Sequence, residues 1–292
     1  METPIRIFIA ATPSEWLPAR VLEFSLQETA SVPVELRSID SFSRTIPMPA
    51  ALANRPRTPF SFQRFLIPEL CGFTGRAIYL DADMLVFRDI AEVWGSDLTA
   101  CDLQTVQEGK RGRRGQFSVM LLNCETLDWN IERIVADLDA GRLDYAGLMY
   151  EMRVAPRIRS DIRAEWNSLE HFEPGQTALL HYTDMSTQPW VFHAHPLGHL
   201  WLARLRKAVA AGFIQREDIQ KEITQGHVRP SLLVEVDAGP DGITAPSAHQ
   251  LDRDFVPPYR RLKAITASPW VSRSAALGAA IRGVLRRMGF GR

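Results

Sequence analysis

Cysteine is scarce in this chain. Three of its 292 residues are cysteines, Cys71, Cys101 and Cys124, an odd number with no CxxC pair. That argues against a disulfide framework or a structural zinc site and suits a reducing compartment. Long apolar runs are missing too: no stretch approaches the ~18 residues that a membrane-crossing helix needs. The opening METPIRIFIAATPSEW has no basic segment ahead of an apolar one, so it does not read as a secretory leader, and a cytoplasmic setting is expected. An excess of one charge is also lacking. Lys+Arg 34 balance Asp+Glu 34, so no overall field favours nucleic acid. There is no internal repeat and no low-complexity tract.

What remains is ordinary globular composition, 46% hydrophobic and 23% charged, enough for one large α/β domain. Residues 5–11 form a compact apolar run, the pattern of a buried parallel strand. Thr12-Pro13-Ser14 breaks it and suits a helix cap. Apolar residues then recur at helical spacing over 16–29, and 32–39 reads as a second strand. This βαβ opening predicts a right-handed crossover and a parallel sheet. A Pro-, Ser- and Arg-rich loop over 41–60 leads to a helix at 62–70 and a strand at 77–80. Further strands are expected at 118–123 and 177–182, and helices at 131–138 and 196–212, with an irregular helical stretch over 142–160. Two units are expected: a main domain over 1–230 and an extension over 231–292 ending in a basic amphipathic helix.

The most informative segment is RAIYLDADMLVFRDI, residues 76–90, in which Asp81-Ala82-Asp83 stands between two apolar runs. Two carboxylates at i, i+2 on a strand end lie close together with little solvent. At about 4 Å and an effective dielectric of ~20 they repel by roughly 4 kcal/mol. A proton, a basic side chain or a divalent cation must offset that, and hard oxygen ligands favour Mg²⁺ or Mn²⁺ over zinc. The plain alternative is one capping aspartate and one solvated one. In open α/β sheets ligands bind at the C-terminal strand ends, so the 10–14 turn and the aspartates are candidates for one crevice.

A second segment, HYTDMSTQPW at 181–190, follows an apolar strand. Strand–DxD and, about a hundred residues later, strand–HY…PW together resemble glycosyltransferase family 8, over residues 5–202. The resemblance implies a GT-A fold, Rossmann-like, that binds a nucleotide sugar with Mn²⁺ (or Mg²⁺) and transfers the sugar with retention to a glycan or lipid-linked acceptor. By position it assigns metal binding to Asp81, Asp83 and His181. It assigns nucleotide-sugar binding to Ala10, Ala11, Thr12, Ser14, Arg64, Asp81, Ala82, Asp83 and Gln188. Gln116 and Asp144 fall at positions that contact the reacting sugar or acceptor; Trp166-Asn167 suits either an acceptor contact, through a flat aromatic face, or a core position for the Trp. The chain also departs from the family. Thr12 stands where an Asp is frequent, and Asp184 and Gln188 stand where Gly and Lys are common. Those departures keep open a second expectation, a catalytically inactive sugar-nucleotide-binding protein on the same fold. A phosphatase of the haloacid dehalogenase type also opens with strand–DxD, but Leu85 stands where it needs Thr or Val.

Other signals are weaker. His193, His195 and His199 lack an HExxH frame, and Pro196 and Gly198 interrupt any helix there. The Gly-Arg-rich residues 108–116 lack the P-loop frame. Residues 260–292 hold eight basic residues and no acidic one, a pattern suited to peripheral contact with an anionic membrane.

Overall fold

The computed structural model describes residues 3–39, 42, 44–58, 60–106, 117–239 and 243–259. Strand β1 (Ile5–Ala10), helix α1 (Trp16–Thr29) and strand β2 (Val34–Ser38) form the expected βαβ unit, with β1 and β2 parallel. The central sheet continues through β3 (Arg76–Asp81), β6 (Val119–Asn123), β5 (Leu103–Val106) and β7 (Ile158–Ile162), in the order β2-β1-β3-β6-β5-β7. Five strands run one way and β6 opposes them. A smaller sheet orders β4 (Met84–Val86), β9 (Leu179–His181) and β8 (Ser168–Leu169) as β4-β9-β8.

Alternation along β1 shows why its apolar run is continuous. Ile5, Ile7 and Ile9 enter one core with Ala19, Leu22 and Leu26 of α1, while Phe8 and Ala10 enter another on the opposite face. That second core holds Phe65, Trp129, Ile67 of the short helix α2 (Ile67–Leu70) and the inner face of α4 (Ile131–Asp139), while the short helix α3 (Ala91–Trp94) puts Val93 into the first. Both faces are covered, as a mostly parallel sheet requires. A third core joins Leu85 and Leu180 of the small sheet to Trp201 and Leu205 of α6 (Gly198–Ala210) and to Leu232 and Val236 of α8 (Ser231–Asp237). Between α6 and α8 lies α7 (Arg216–Thr224).

One expected element is different. Residues 142–160 hold only a short helix, α5 (Tyr145–Met149), and then lead into β7. Met152 sits at φ 50, a left-handed turn that no helix carries through, and edge strand β7 is exposed at its centre, so no apolar pattern announces it. The Gly-Arg segment 108–116 and the basic stretch 260–292 lie outside the described residues.

A candidate metal and nucleotide-sugar site

Asp81-Ala82-Asp83 is the joint between the two sheets: β3 ends at Asp81 and β4 begins at Met84. The antiparallel register of β4 and β9 sets Met84 opposite His181, and Tyr182 N–H donates to Asp83 O at 2.9 Å. The pairing of two short strands therefore carries a histidine about a hundred residues away to the aspartates. Ligand atoms of Asp81, Asp83 and His181 all lie within 4.8 Å of one another. On the other side, Asp81 pairs in register with Ala10, which sets the β1-end turn beside the same carboxylate.

The groups around the triad are fixed. His181 Nδ1 lies 2.9 Å from Asn167 Oδ1; an amide oxygen only accepts, so Nδ1 carries the proton and Nε2 is free to act as a ligand. Nε2 stands 3.1 Å from Asp83 Oδ1. That contact lacks hydrogen-bond geometry, and Asp83 Oδ1 is a buried atom with no hydrogen-bond partner. When Nε2 carries no proton the two atoms face each other as acceptors, an arrangement that suits a shared cation; a proton on Nε2 is the competing occupant. The other Asp83 oxygen accepts from Gln188 Nε2 at 3.0 Å, and the same amide nitrogen donates to Tyr182 O at 2.8 Å. Asp81 accepts from the Tyr79 hydroxyl and has Arg64 Nη2 at 3.5 Å. Arg64 is itself pinned, donating to Ser61 O and Phe117 O and stacking 4.6 Å from the Tyr79 ring centroid.

Burial is the first electrostatic effect here. Burial, aided by the Asp83 charge, pushes Asp81 above the usual carboxylate range against the pull of Arg64, His181 and Tyr79. Burial alone would lower His181, but the Asp83 carboxylate beside it and the Asp81 charge outweigh that and raise it. Glu15 is pushed up to about 8, by burial first and then by the charge of Asp83. Its carboxyl group takes the Thr12 N–H at 2.9 Å and the Thr12 hydroxyl at 2.9 Å. An acidic side chain therefore stands in the β1-end turn, supplied three residues downstream of Thr12 and holding its proton at neutral pH.

The expected site residues fall into groups. Asp81, Asp83, His181, Arg64 and Gln188 converge. Thr12, Ser14 and Gln188 line one small cavity of about 30 Å³ with Glu15, Trp190 and Tyr259, room for about one water. Ala10, Ala11 and Ala82 are buried, and both peptide groups of Ala11 are bound by the Gln63 amide, at 3.2 and 2.9 Å. Asp144 caps α5 through the Gly147 N–H at 2.7 Å. Trp166 is a core residue, 2% exposed, and does not present a face to an acceptor; Asn167 beside it serves His181 instead. Asp184 turns its carboxylate onto Ser186 in its own turn. His195 pairs with Glu170 at 3.0 Å and belongs to no metal cluster among the described residues. Gln116 lies outside the described residues. Sequence reasoning missed Tyr79, Gln63 and Glu15. The T-P-S-E spacing of a capping box marks the last of these; nothing local marks the other two.

Comparison with known proteins bears on the fold. No family model matches the sequence. The apo WbbM bifunctional glycosyltransferase superposes with a TM-score of 0.51 at 12% identity, over 70% of this chain and 50% of that one. The apo glycosyltransferase GlyE of Streptococcus pneumoniae TIGR4 gives 0.50 at 18% identity, over 70% of this chain and 60% of that one. The fold is that of the GT-A glycosyltransferases. In sequence, Protein CDI of Arabidopsis thaliana is 38% identical over 96 residues, 31% of this chain and 36% of that protein. The chain thus spans about a third of that relative's length and half to three-fifths of the two GT-A structures. In the GT-A frame, the triad sits where strands β1 and β3 end, the crevice in which open α/β sheets take ligands.

Proposed function

We propose that this protein is a metal-dependent glycosyltransferase that moves a hexose from a nucleotide-diphosphate sugar, UDP-linked, to a glycan or lipid-linked acceptor. The observation that carries this reading is the convergence of Asp81, Asp83 and His181 on a GT-A sheet, with a buried Asp83 oxygen left without a hydrogen bond. Two carboxylates and one neutral imidazole fit a divalent cation, and oxygen-rich ligation favours Mn²⁺ or Mg²⁺. Bound there, the ion supplies positive charge for the diphosphate oxygens of the leaving group.

The chain's own residues do the positioning. Asn167 sets the His181 tautomer, and Gln188 orients Asp83. Arg64, held by two backbone carbonyls, presents a fixed charge beside Asp81 and the donor phosphates. Thr12 and Ser14 offer hydroxyls to the nucleoside. Gln116 and Asp144 are proposed for the reacting sugar and the acceptor. Retention follows from the family 8 resemblance; the two-carboxylate glycosidase scheme is a poor guide to it. We further propose that the basic residues 260–292 touch an anionic membrane peripherally; no helix among the described residues is long and apolar enough to cross one.

Calorimetry of UDP binding with and without Mn²⁺ tests the site. Binding should require the metal and vanish in Asp83→Ala and His181→Ala; metal-dependent binding unchanged in those variants refutes it. One observation favours the inactive-binder reading: both N–H groups of Gln188 are taken by Asp83 and Tyr182 O, leaving none for the diphosphate. Transfer or hydrolysis of a UDP-sugar by the purified protein decides between the two.

A further inference from the structure

A second, larger opening lies at the other end of the sheet. A cleft of about 910 Å³ sits where β1 and β3 begin and β6 ends, about 16 Å along β3 from the aspartates. Half-buried Trp94 lines it, with the Arg76 guanidinium 5.7 Å from the ring centroid. Arg6 lines it as well. Backbone carbonyls hold both arginines: Arg6 donates to Arg76 O at 3.0 Å and Thr74 O at 2.6 Å, and Arg76 donates to Trp94 O at 3.1 Å. Gly75, at φ +62, makes room for this, since a Cβ there would lie 2.7 Å from Arg6 Nη2. The acceptors come from Glu125, Asn123 and Asp97. Glu125 gives one carboxylate oxygen to the Gly75 N–H at 2.9 Å; Asp97 gives one to the Thr99 N–H at 2.8 Å and the other to Arg159 at 3.2 Å.

The lining thus sets fixed N–H donors and carboxylate acceptors around an indole, with the opposite charges offsetting each other. An anion would meet the two carboxylates, and a cation the two guanidiniums. A neutral polyhydroxyl ring satisfies both sets: its hydroxyls donate to the carboxylates and accept from the guanidiniums, and its C–H groups suit the part of the indole that the core and Arg76 leave open. The volume lies in the range of small-molecule sites. We propose that this cleft is a second, non-catalytic saccharide-binding site that holds a neutral glycan chain away from the Asp81–Asp83–His181 centre. It rests on the cleft's own lining and does not need the metal site.

Saturation-transfer NMR on the full chain tests this, with maltotetraose, cellotetraose, chitotetraose, mannotetraose and, for contrast, a sulfated heparin tetrasaccharide. At least one neutral tetrasaccharide should bind saturably, with Asp83→Asn leaving the affinity unchanged and Trp94→Ala weakening it about tenfold. Trp94→Phe keeps an aromatic face and should retain most of the binding, which separates lost stacking from misfolding; thermal melts of each variant accompany the titrations. Absence of neutral binding, binding of the sulfated probe alone, full affinity in Trp94→Ala, or loss in Asp83→Asn each overturns the proposal.

Discussion

Asn167 acts on the candidate centre through the imidazole that it holds. Its Oδ1 takes the Nδ1 proton of His181, and outer partners of this kind are worth about 10–100-fold in metal affinity. Asn167→Leu should weaken Mn²⁺ binding by that factor in an EPR titration, whereas Asn167→Asp, which also accepts from Nδ1, should lose little. Glu15 gives a pH prediction. Its folded value is about 8 against an ordinary 4.5, so the folded chain keeps a proton that the unfolded chain sheds. The stability it contributes is full below pH 4.5 and lost as the pH rises through about 8. Glu15→Gln should therefore flatten the fall in Tm over that window, read by calorimetry in EDTA.

At the scale of elements, one buried arginine, ion-paired within its own segment, ties α8 to the turn after Gln188. Arg229 donates to both Glu235 oxygens, at 2.9 and 2.6 Å, and to Pro189 O at 2.9 Å; its own N–H meets Trp190 O. The arginine is 3% exposed. It anchors α8 to the turn that follows Gln188. Removing one partner of such a pair leaves a buried charge, at a cost of about 3–5 kcal/mol. Arg229→Met should lose that much in urea unfolding, and the double change Arg229→Met/Glu235→Leu should recover most of it. If the two single losses simply add, the pair is not coupled.

For the whole molecule, a ligand that binds only the folded chain raises its stability by mass action. Mn²⁺ at a hundredfold over its Kd contributes about 2.7 kcal/mol, or roughly 4–5 °C in Tm for a chain of this size. EDTA should reverse the rise, and Asp83→Ala should abolish it. A Tm indifferent to Mn²⁺ would show that the three side chains converge for structural reasons alone.

The apolar runs of β1, β3 and β6 and the period of α1 and α4 were legible because each element buries a face, and burial writes its period into the chain. Asp81-Ala82-Asp83 was legible because carboxylates rarely abut apolar strands without an offsetting partner. Exposed β7 and the short α5 were not, since an edge strand needs no apolar alternation. Nor could the chain order alone show that Asn167 serves His181, that Gln188 serves Asp83 or that Gln63 binds Ala11, and it left Trp166 open between acceptor and core. Those pairings join residues 14, 105 and 52 positions apart. They depend on the register of β4 against β9 and on the packing of the segment before β3. Local patterning specifies elements; the meeting of three ligand atoms is a property of how the sheets close on each other, which only the tertiary structure decides.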